Sequence, residues 1–420
     1  MLRSMFSAIS GLKAHQTKMD VTGNNIANVN TVGFKSSQTV FQDTLSQVIR
    51  AGGAPAADRG GTNPAQVGLG AKVAAITTNW TQGATQSTGR SEDFMIEGDG
   101  FFVTRGVGGE QLFTRAGSLN FDGAGRLVTA DGGFLQGWMA DANGVVNPNN
   151  PVENLSVPIG QLVAPRATAN AAIEGNLPSD TPVGTALTTG TVMYDSQGVA
   201  MPVAYTITKT ADATATTDAA WQVKVDHVVT DPVTKVVTRT NLQTIAGVTF
   251  DSDGKMTSAA PPPFTPAGFP NWTTPVQLDI SKLTQYGGAG EIGDAGQNGY
   301  AVGSLQSFSL GADGTIMGVY SNELRQPIGR LALASFNNPG GLEKAGNSSF
   351  RVGVNSGVAQ VGIAAAGGRG ALVSGALEMS NVDLAEEFTG LIVAQRGFQA
   401  NSRVITSSDE ILQDLVNLKR

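Results

Sequence analysis

The chain has 420 residues, 54 glycines and a net charge of −7, and 15% of its residues are charged against roughly 25% in average proteins. This length suffices for two or three domains, and the lack of any cluster of Lys and Arg argues against nucleic-acid binding. The absence of cysteine excludes disulfides and thiolate metal sites, and no apolar run approaches the roughly 18 residues of a membrane span.

The first 35 residues predict a helix that ends in a polar segment. Met5, Ile9, Leu12 and Met19 recur at intervals of three, four or seven, which places them on one helical face. Three serines among the first ten residues interrupt any apolar core of a leader, so no cleaved signal peptide is expected. The helix closes with TGNNIANVNTVGFK (22–35), where asparagine, a poor residue inside helices, occurs four times.

A repeated motif predicts hairpin turns through the middle of the chain. In each copy a glycine follows four residues after the first apolar residue, where a tight turn needs positive φ. The copies are FDGAGRL (121–127), ADANGVV (140–146), YDSQGVA (194–200), FDSDGKM (250–256) and LGADGTI (310–316). Flanking segments alternate with period two, as in Val203, Tyr205 and Ile207. We therefore predict a mixed fold, with Gly-rich, sandwich-like or barrel-like all-β domains between terminal helices.

Two proline-rich stretches mark the candidate domain boundaries, NPNNPVENLSVP (147–158) and APPPFTPAGFP (260–270). The first stretch follows a β block of about 70–147, and the second lies late in another block that runs from about 150 to 297. From these patterns alone, the segment after 298 could either extend the second block or return to the first.

The C-terminal stretch predicts a long helix over 373–420. Six apolar residues recur at a strict interval of seven, the period of a coiled coil. They are Leu377, Leu384, Leu391, Phe398, Ile405 and Leu412. A coiled-coil interface is the favoured interpretation, and a single long core helix is the alternative.

The sequence offers no catalytic, cofactor or metal site. Its only two histidines, His15 and His227, lie in a predicted helix and a predicted strand, so neither a triad nor a metal cluster can be assembled. The G-x-G-x-x-G match at 288–293 precedes a segment that cannot open a helix. The Asp-rich turns at 141–144 and 251–254 lack the ligand set of a calcium loop. We predict that the protein is not an enzyme.

Several stretches together resemble the axial proteins of the bacterial flagellum, the family of its rod and hook proteins. They are GLKAHQTKMDVTGNNIANVNTVGFK (11–35), IEGDGFFV (96–103), FTRAGSLNFDGAGRLVTADGGFLQGW (113–138) and ALEMSNVDLAEEFTGLIVAQRGFQANSRVI (376–405). Within this family the chain is similar to the hook members, also through 67–90, 190–198 and 298–336. The resemblance implies a tubular homopolymer that couples the rod to the filament as a bendable joint and transmits torque. A distal rod protein, which would be expected to lack the 150–297 insertion, is the alternative.

The resemblance also implies that the segment after 298 returns to the first β domain. The expected segments are an N-terminal helix (1–35), an extended connector (36–70), an inner β domain in two parts (71–147 and 298–360), an outer inserted β domain (148–297), a second connector (361–372) and a C-terminal helix (373–420). The two helices would form an inner coiled-coil domain.

The partners that the resemblance implies are other copies of the chain and further flagellar components. These are the distal rod protein, the hook cap, the hook–filament junction proteins, the hook-length control protein and the flagellar type III export apparatus. The implied location is the extracellular hook, reached without a cleaved signal peptide. Nucleic-acid binding and membrane insertion are not expected.

For such a polymer, the asparagines of the first helix suggest buried polar contacts. Asn24 and Asn28 are four residues apart and share a face, so they could bond to neighbouring copies, for example to Gln395, Gln399 or Asn401. The alternative is a polar helix end capped by its own loop. We assign self-assembly to these two residues and to both apolar stripes, and we expect both termini to be disordered in free subunits, because helices without packing are marginal in water.

Overall fold

The computed structural model describes residues 2–55, 60–141, 144–158, 160, 162–213, 219–251, 253–266, 269 and 271–417. The chain forms two compact units. The first unit comprises Met1–Pro158, Phe308–Met317 and Gln326–Arg420, and the inserted unit comprises Ile159–Ser307 and Gly318–Arg325.

Both long helices belong to the first unit. Helix α1 spans Leu2–Ala27 and helix α2 spans Leu384–Asn417. Asp383 caps α2, because its Oδ1 accepts hydrogen bonds from the backbone N–H groups of Ala385 and Glu386 at 2.8 and 3.3 Å. After α1, Gly33 turns the chain with a φ of +67° that a non-glycine residue rarely adopts.

The prediction of a continuous helix over 373–420 is wrong at its start. Residues 371–374 and 376–378 form two short strands, so Leu377 is buried in a strand and is not the first member of a helical stripe. Gly375, with a φ of +71°, separates these strands, and the Asp383 cap fixes the helix start at Leu384, seven residues after Leu377. Residues 418–420 lie outside the described residues.

The first unit is mainly antiparallel β-structure. Its strands are β1 (Ser37–Asp43), β2 (Ser46–Arg50), β3 (Ala65–Gly68), β4 (Ala71–Thr78), β5 (Thr85–Ser87), β6 (Phe94–Glu97), β7 (Phe101–Arg105), β8 (Gln111–Thr114), β9 (Leu119–Phe121), β10 (Leu127–Thr129), β11 (Phe134–Met139), β12 (Glu153–Asn154), β24 (Leu333–Ser335), β25 (Glu343–Gly346), β26 (Ser349–Arg351), β27 (Gln360–Gly362), β28 (Ala371–Ser374) and β29 (Ala376–Glu378). A path β11-β7-β8-β26-β25 runs through its main sheet. Its core includes Phe101, Phe113, Phe336 and Phe350, which make edge-to-face ring contacts.

Segment 36–70 was expected to be an extended connector, but it forms hairpin strands. Strand β1 pairs with β4, and β2 pairs with β3, in two separate two-stranded sheets. Isolated two-stranded hairpins are marginal in water because they bury little apolar surface. The β1–β4 pair gains support from α1, since the Ser10 hydroxyl accepts a 3.2 Å hydrogen bond from the N–H of Ala71.

The inserted unit contains two sheets around one apolar core. Its strands are β13 (Leu162–Val163), β14 (Asn170–Asn176), β15 (Ala186–Tyr194), β16 (Ala200–Ala211), β17 (Ala220–Thr230), β18 (Val237–Thr249), β19 (Gln277–Thr284) and β20 (Glu291–Gln297), and the strands β21 (Gly303–Leu310), β22 (Thr315–Tyr320) and β23 (Arg325–Leu331) contain residues of both units. The sheets have the orders β15-β16-β17-β18 and β19-β14-β20. The alternating Val203, Tyr205 and Ile207 are buried in this core, which confirms the predicted all-β middle.

The predicted hairpin glycines all adopt positive φ. Those of the five motifs, at positions 125, 144, 198, 254 and 314, have φ values of 74–84°. In each turn an aspartate accepts hydrogen bonds from backbone N–H groups; the Oδ1 of Asp122, for example, accepts from Ala124 and Arg126. These carboxylates therefore stabilise turns. Residues 142, 143 and 252 of the motifs lie outside the described residues.

Candidate self-assembly surface

Helices α1 and α2 pack against each other in antiparallel orientation within one chain. The Nδ2 of Asn25 donates to the Oε1 of Glu387 at 2.6 Å, His15 lies beside Gly397, and Gly11 lies beside Asn401. From the first contact to the third, the residue numbers fall by ten and then four along α1 and rise by ten and then four along α2. The two helices therefore run in opposite directions. The structure thus differs from the expectation of disordered ends, because each helix has a partner in its own chain.

Small residues form the closest part of this helix pair. Ala8, Ala14, Ala394 and Ser408 are buried. A Cβ atom on Gly397 would lie only 2.5 Å from the Nε2 of His15, so the imidazole of His15 fills the space that a side chain at 397 would need. Because small residues bury little apolar area, the pairing leaves many large side chains of both helices outside.

The predicted apolar stripes lie at the margins of this pair. Seven of their members are half-buried, namely Met5, Leu12, Met19, Leu391, Phe398, Ile405 and Leu412. Ile9 and Leu384 are exposed. The stripe residues are therefore divided between the helix pair inside one chain and a surface that no described part of the chain covers.

The predicted asparagines bond to each other. Asn28 donates through Nδ2 to the backbone oxygen of Asn24 at 2.9 Å, and its Oδ1 accepts from Thr31 at 3.0 Å. This geometry matches the alternative of a helix end capped by its own loop. The asparagine that the helix buries is Asn25, whose amide bonds to the backbone of Ser37 as donor and acceptor, at 2.8 and 3.0 Å.

The sequence pattern did not single out Asn25, because the helical stripe was defined by large apolar residues alone. Asn25 lies eleven residues after Ala14, a spacing that returns to the same face after about three turns. A search for a stripe of small and polar residues would have included it.

A buried ion network joins the segment after α1 to the segment before α2. The Nζ of Lys35 lies 2.6 Å from the Oε1 of Glu378, and both side chains are 0% exposed. The Nη1 of Arg115 lies 3.5 Å from the other oxygen of Glu378, and the N–H of Gly83 donates to Oε1 at 3.0 Å. Burial lowers the pKa of Lys35, and the Glu378 carboxylate opposes that shift.

Clusters of metal ligands are absent from the described part of the chain. No group of three or more His, Cys, Asp or Glu side chains there could hold a metal ion. His15 packs edge-on against Phe41, with ring centroids 5.6 Å apart, and burial, followed by nearby Lys18, lowers its pKa. His227 packs similarly against Phe269. Both histidines therefore serve packing.

Large apolar side chains cover the outer faces of both helices and the nearby hairpins. On the helices they are Phe6, Ile9, Leu384, Phe388, Ile392, Val393, Val404 and Ile411. On the hairpins and their connections they are Val40, Phe41, Leu45, Val48, Ile49, Val67, Leu69 and Ile76. Phe6 is 62% exposed and Ile392 57%. Exposed apolar surface of this extent marks interaction sites, and neither helix of the described chain is long and apolar enough to span a bilayer.

Four family models match the chain. They are described as flagella basal body rod protein (residues 5–35), flagellar hook protein FlgE/F/G D1 domain (95–176), flagellar basal body protein FlaE D2 domain (167–300) and flagellar basal body rod FlgEFG protein C-terminal (373–418).

Relatives match over the full length. The flagellar hook protein FlgE of Borreliella burgdorferi is 38% identical, with 100% of both chains covered. The flagellar basal-body rod protein FlgG of Bacillus subtilis is 34% identical, again with 100% of both covered. A rod protein can therefore include the 150–297 segment, and its presence does not exclude the rod alternative.

A solved structure shares the fold. The crystal structure of Helicobacter pylori flagellar hook protein FlgE2 superposes with a TM-score of 0.50 at 14% identity, covering 63% of this chain and 93% of that one.

Proposed function

The chain belongs to the family of flagellar hook and basal-body rod proteins, and from this premise we propose that it is a structural subunit of the flagellar hook. Copies would assemble into a helical tube that joins the rod to the filament, bends as a universal joint and transmits motor torque. The similarity to FlgE over the whole chain supports the hook, and the protein is a structural component, not an enzyme. The observation that carries self-assembly is the set of large apolar side chains on the outer helix faces.

The proposed assembly surface combines these outer faces with the exposed hairpins. On α2, Leu384, Phe388 and Ile392 lie four residues apart and share one exposed face. Of the residues predicted from sequence, Ile9 and Leu384 belong to this surface. The half-buried stripe residues contribute indirectly by holding the helix pair together, and Asn24 and Asn28 by capping the end of α1.

A matched pair of substitutions on α2 tests whether the outer face serves assembly and the half-buried residues serve the helix pair. Ile392→Asp places a charge on the outer face, so the monomer should keep its melting transition while assembly fails. Burying even a neutral polar group without a hydrogen bond costs about 2–7 kcal/mol, and an unpaired carboxylate costs more. Leu391→Asp, one residue earlier, should instead weaken the helix pair in the monomer. Thr188→Asp, at an exposed position of the inserted unit, is the control. Normal tubes from Ile392→Asp would contradict the proposal.

Electron microscopy of the assembled protein separates hook from rod. Curved, bendable tubes support the hook, whereas straight, rigid tubes support the distal rod protein, the weaker alternative, to which the FlgG relative is 34% identical. Absence of any polymer from the folded protein would contradict both.

The remaining partners and the location follow from this role. We infer that the subunit contacts the distal rod protein, the hook cap, the hook–filament junction proteins and the hook-length control protein. Export through the flagellar type III apparatus to an extracellular hook fits the same role. The outer position of the inserted unit in the tube remains part of the proposal. Three of the expected segments change: the C-terminal helix is shortened to its observed start, segment 36–70 forms hairpins, and residues 303–307 and 318–325 belong to the inserted unit.

A further inference from the structure

The hairpin that joins β17 to β18 ends in apolar side chains that the chain leaves exposed. They are Val229, Val233 and Val236, and Val233 in the turn is 87% exposed. Val229 pairs with Thr238 across the two strands, and the N–H of Asp231 donates to the oxygen of Val236 at 3.0 Å, so Val229 and Val236 lie on one face of the hairpin. We call Val229, Val233 and Val236 the valine tip. It belongs to the inserted unit and is separate from the assembly surface of the helices.

Lys235, in the same turn, has an unusual backbone conformation. Its φ is +58°, in the left-handed region that residues other than glycine and asparagine rarely adopt. Asp231 holds the turn in this shape, because its backbone oxygen accepts a 2.9 Å hydrogen bond from the N–H of Lys235. Lys235 is exposed, and among the described residues it forms no salt bridge. A glycine would adopt this φ without strain, and strain of this kind is typical of functional positions.

The inserted unit also has an open groove at one end of the sheet β19-β14-β20. The volume of this groove is about 880 Å³, within the roughly 300–1,000 Å³ of ligand-binding clefts. Small or rigid residues line it, among them Ala172, Gly296 and the three prolines 261–263. Asp279, whose side chain is exposed, also lines it. The groove therefore offers apolar surface and a negative charge, which complement the valine tip and Lys235.

The valine tip cannot fill the groove of its own chain. Gln243 of β18 donates through Nε2 to the backbone oxygen of Pro262 at 2.9 Å, which fixes the point where β18 passes the groove. Val237, the first residue of β18, lies six residues before Gln243. Six residues of a strand span about 20 Å at a rise of about 3.3 Å per residue, and the valine tip lies beyond them. A neighbouring copy shifted along the hairpin by about this distance would place its own groove beside the tip.

We propose that the valine tip of one copy docks in the groove of the next copy, where Lys235 meets the carboxylate of Asp279. A second copy is the occupant because this unit carries both complementary parts and cannot join them within one chain. The tip and the groove are different patches, so the contact is heterologous and can repeat along an open polymer. The inference rests on the proposed homopolymer and adds a contact between its inserted units. Losing this contact should loosen the tube without preventing its assembly.

Cysteine cross-linking tests the docking, since the chain has no cysteine of its own. Polymers are made from equal amounts of Val233→Cys and Pro262→Cys subunits and treated with a short bis-maleimide. The control polymer pairs Val233→Cys with Thr188→Cys, an exposed position on β15. Dimers that contain one subunit of each kind should form at least about tenfold more often than in the control, because docking raises the effective concentration of the two thiols. Equal yields in the two polymers would overturn the docking.

Lys235→Gly, added to the Val233→Cys subunit, distinguishes a contact from a purely local role. Glycine fits the positive φ, so the monomer should melt no lower than before, whereas the cross-linking yield should fall about two- to fivefold, as expected for one exposed ion pair. Asp279→Asn, added to the Pro262→Cys subunit, should lower the yield by a similar factor. Because both changes remove the same ion pair, combining them should lower the yield no further. Losses that multiply would show that Lys235 and Asp279 do not meet, and would overturn the proposed pairing.

A second cross-linking experiment uses the unmodified protein and is independent of any effect of substitution on folding. Polymers made from equal amounts of 14N- and 15N-labelled subunits are treated with a carbodiimide, which joins only an amine and a carboxylate in contact. Mixed-isotope peptides that link Lys235 to Asp279 are the expected result. Polymers in which Lys235 links only to other carboxylates, or only within its own chain, would overturn the docking and leave the hook role intact. A folded protein that forms no polymer under any condition would overturn the proposed hook together with the docking.

Discussion

Replacing Glu378 by Gln should destabilise the first unit strongly. The change keeps the size of the side chain but removes the charge that faces two buried cations, since Lys35 is 0% and Arg115 3% exposed. The Oε1 atom accepts hydrogen bonds from the Lys35 Nζ at 2.6 Å and from the N–H of Gly83 at 3.0 Å. Breaking a buried ion pair by removing one partner costs about 3–5 kcal/mol, because a charge remains uncompensated in a dry site.

That cost is a large part of the roughly 5–15 kcal/mol that stabilises an ordinary domain. For a unit of this size, a loss of about 1 kcal/mol lowers the melting temperature by about 2–4 °C, so the first unit should melt on the order of 10 °C lower. Hydrogen exchange, measured peptide by peptide during urea unfolding, reports the unfolding transition of each unit separately. The inserted unit, which contains none of these residues, should keep its transition.

The control is Glu343→Gln, which removes an exposed ion pair with Arg351. The two atoms are 2.8 Å apart, yet both side chains are more than half exposed, so the expected cost is about 0–1 kcal/mol. If Glu378→Gln costs no more than this control, or if both units lose stability equally, the buried network does not hold the helix ends to the β-structure.

Three further substitutions or deletions have expected outcomes. Asn25→Ala should cost about 1–3 kcal/mol in urea unfolding, because it leaves the buried N–H and oxygen of Ser37 without partners, whereas exposed Asn24→Ala should cost less than about 0.5 kcal/mol. Gly397→Ala should speed amide exchange in both helices, because the added methyl meets the partner helix; Gly390→Ala, with no atom within 4 Å of the added methyl, should instead slow exchange. Deleting 167–299, whose flanking residues already form a β-bridge, should leave assembly intact but change the stiffness of the tube by microscopy; loss of assembly from a folded remainder would contradict a peripheral role for the inserted unit.

The hairpin turns could be predicted from sequence because their causes are local. A glycine that must adopt positive φ and an aspartate that bonds to the next N–H groups lie within five residues of each other. The same holds for the alternation in Val203, Tyr205 and Ile207, since a strand buried on one face repeats every second residue.

The helix interface could not be predicted in the same way. The interface includes glycine, alanine and serine, which give no hydrophobic periodicity. The six apolar residues at intervals of seven therefore predicted an interface of larger side chains, and these lie at the margins of the helix pair. Leu377 extended the heptad by coincidence, because a strand and a turn precede the Asp383 cap. The pair of Lys35 and Glu378 is separated by 343 residues, and no local pattern relates two positions so far apart.

The small-residue interface explains how one chain can fold its helices and still need copies of itself. Pairing through Ala8, Ala14, Ala394 and Ser408 fixes the orientation of the helices but buries little apolar area. The large side chains remain outside, and each one covered by a neighbour contributes about 1.5–3 kcal/mol. Four of them give about 6–12 kcal/mol, which only matches the 4–15 kcal/mol or so that two molecules lose in freedom on association. One contact between two copies is therefore marginal. A subunit that contacts several neighbours at once gains the burial free energy of each contact but loses its translational and rotational freedom only once. The growing end of a tube should therefore bind a subunit more tightly than a single free partner does.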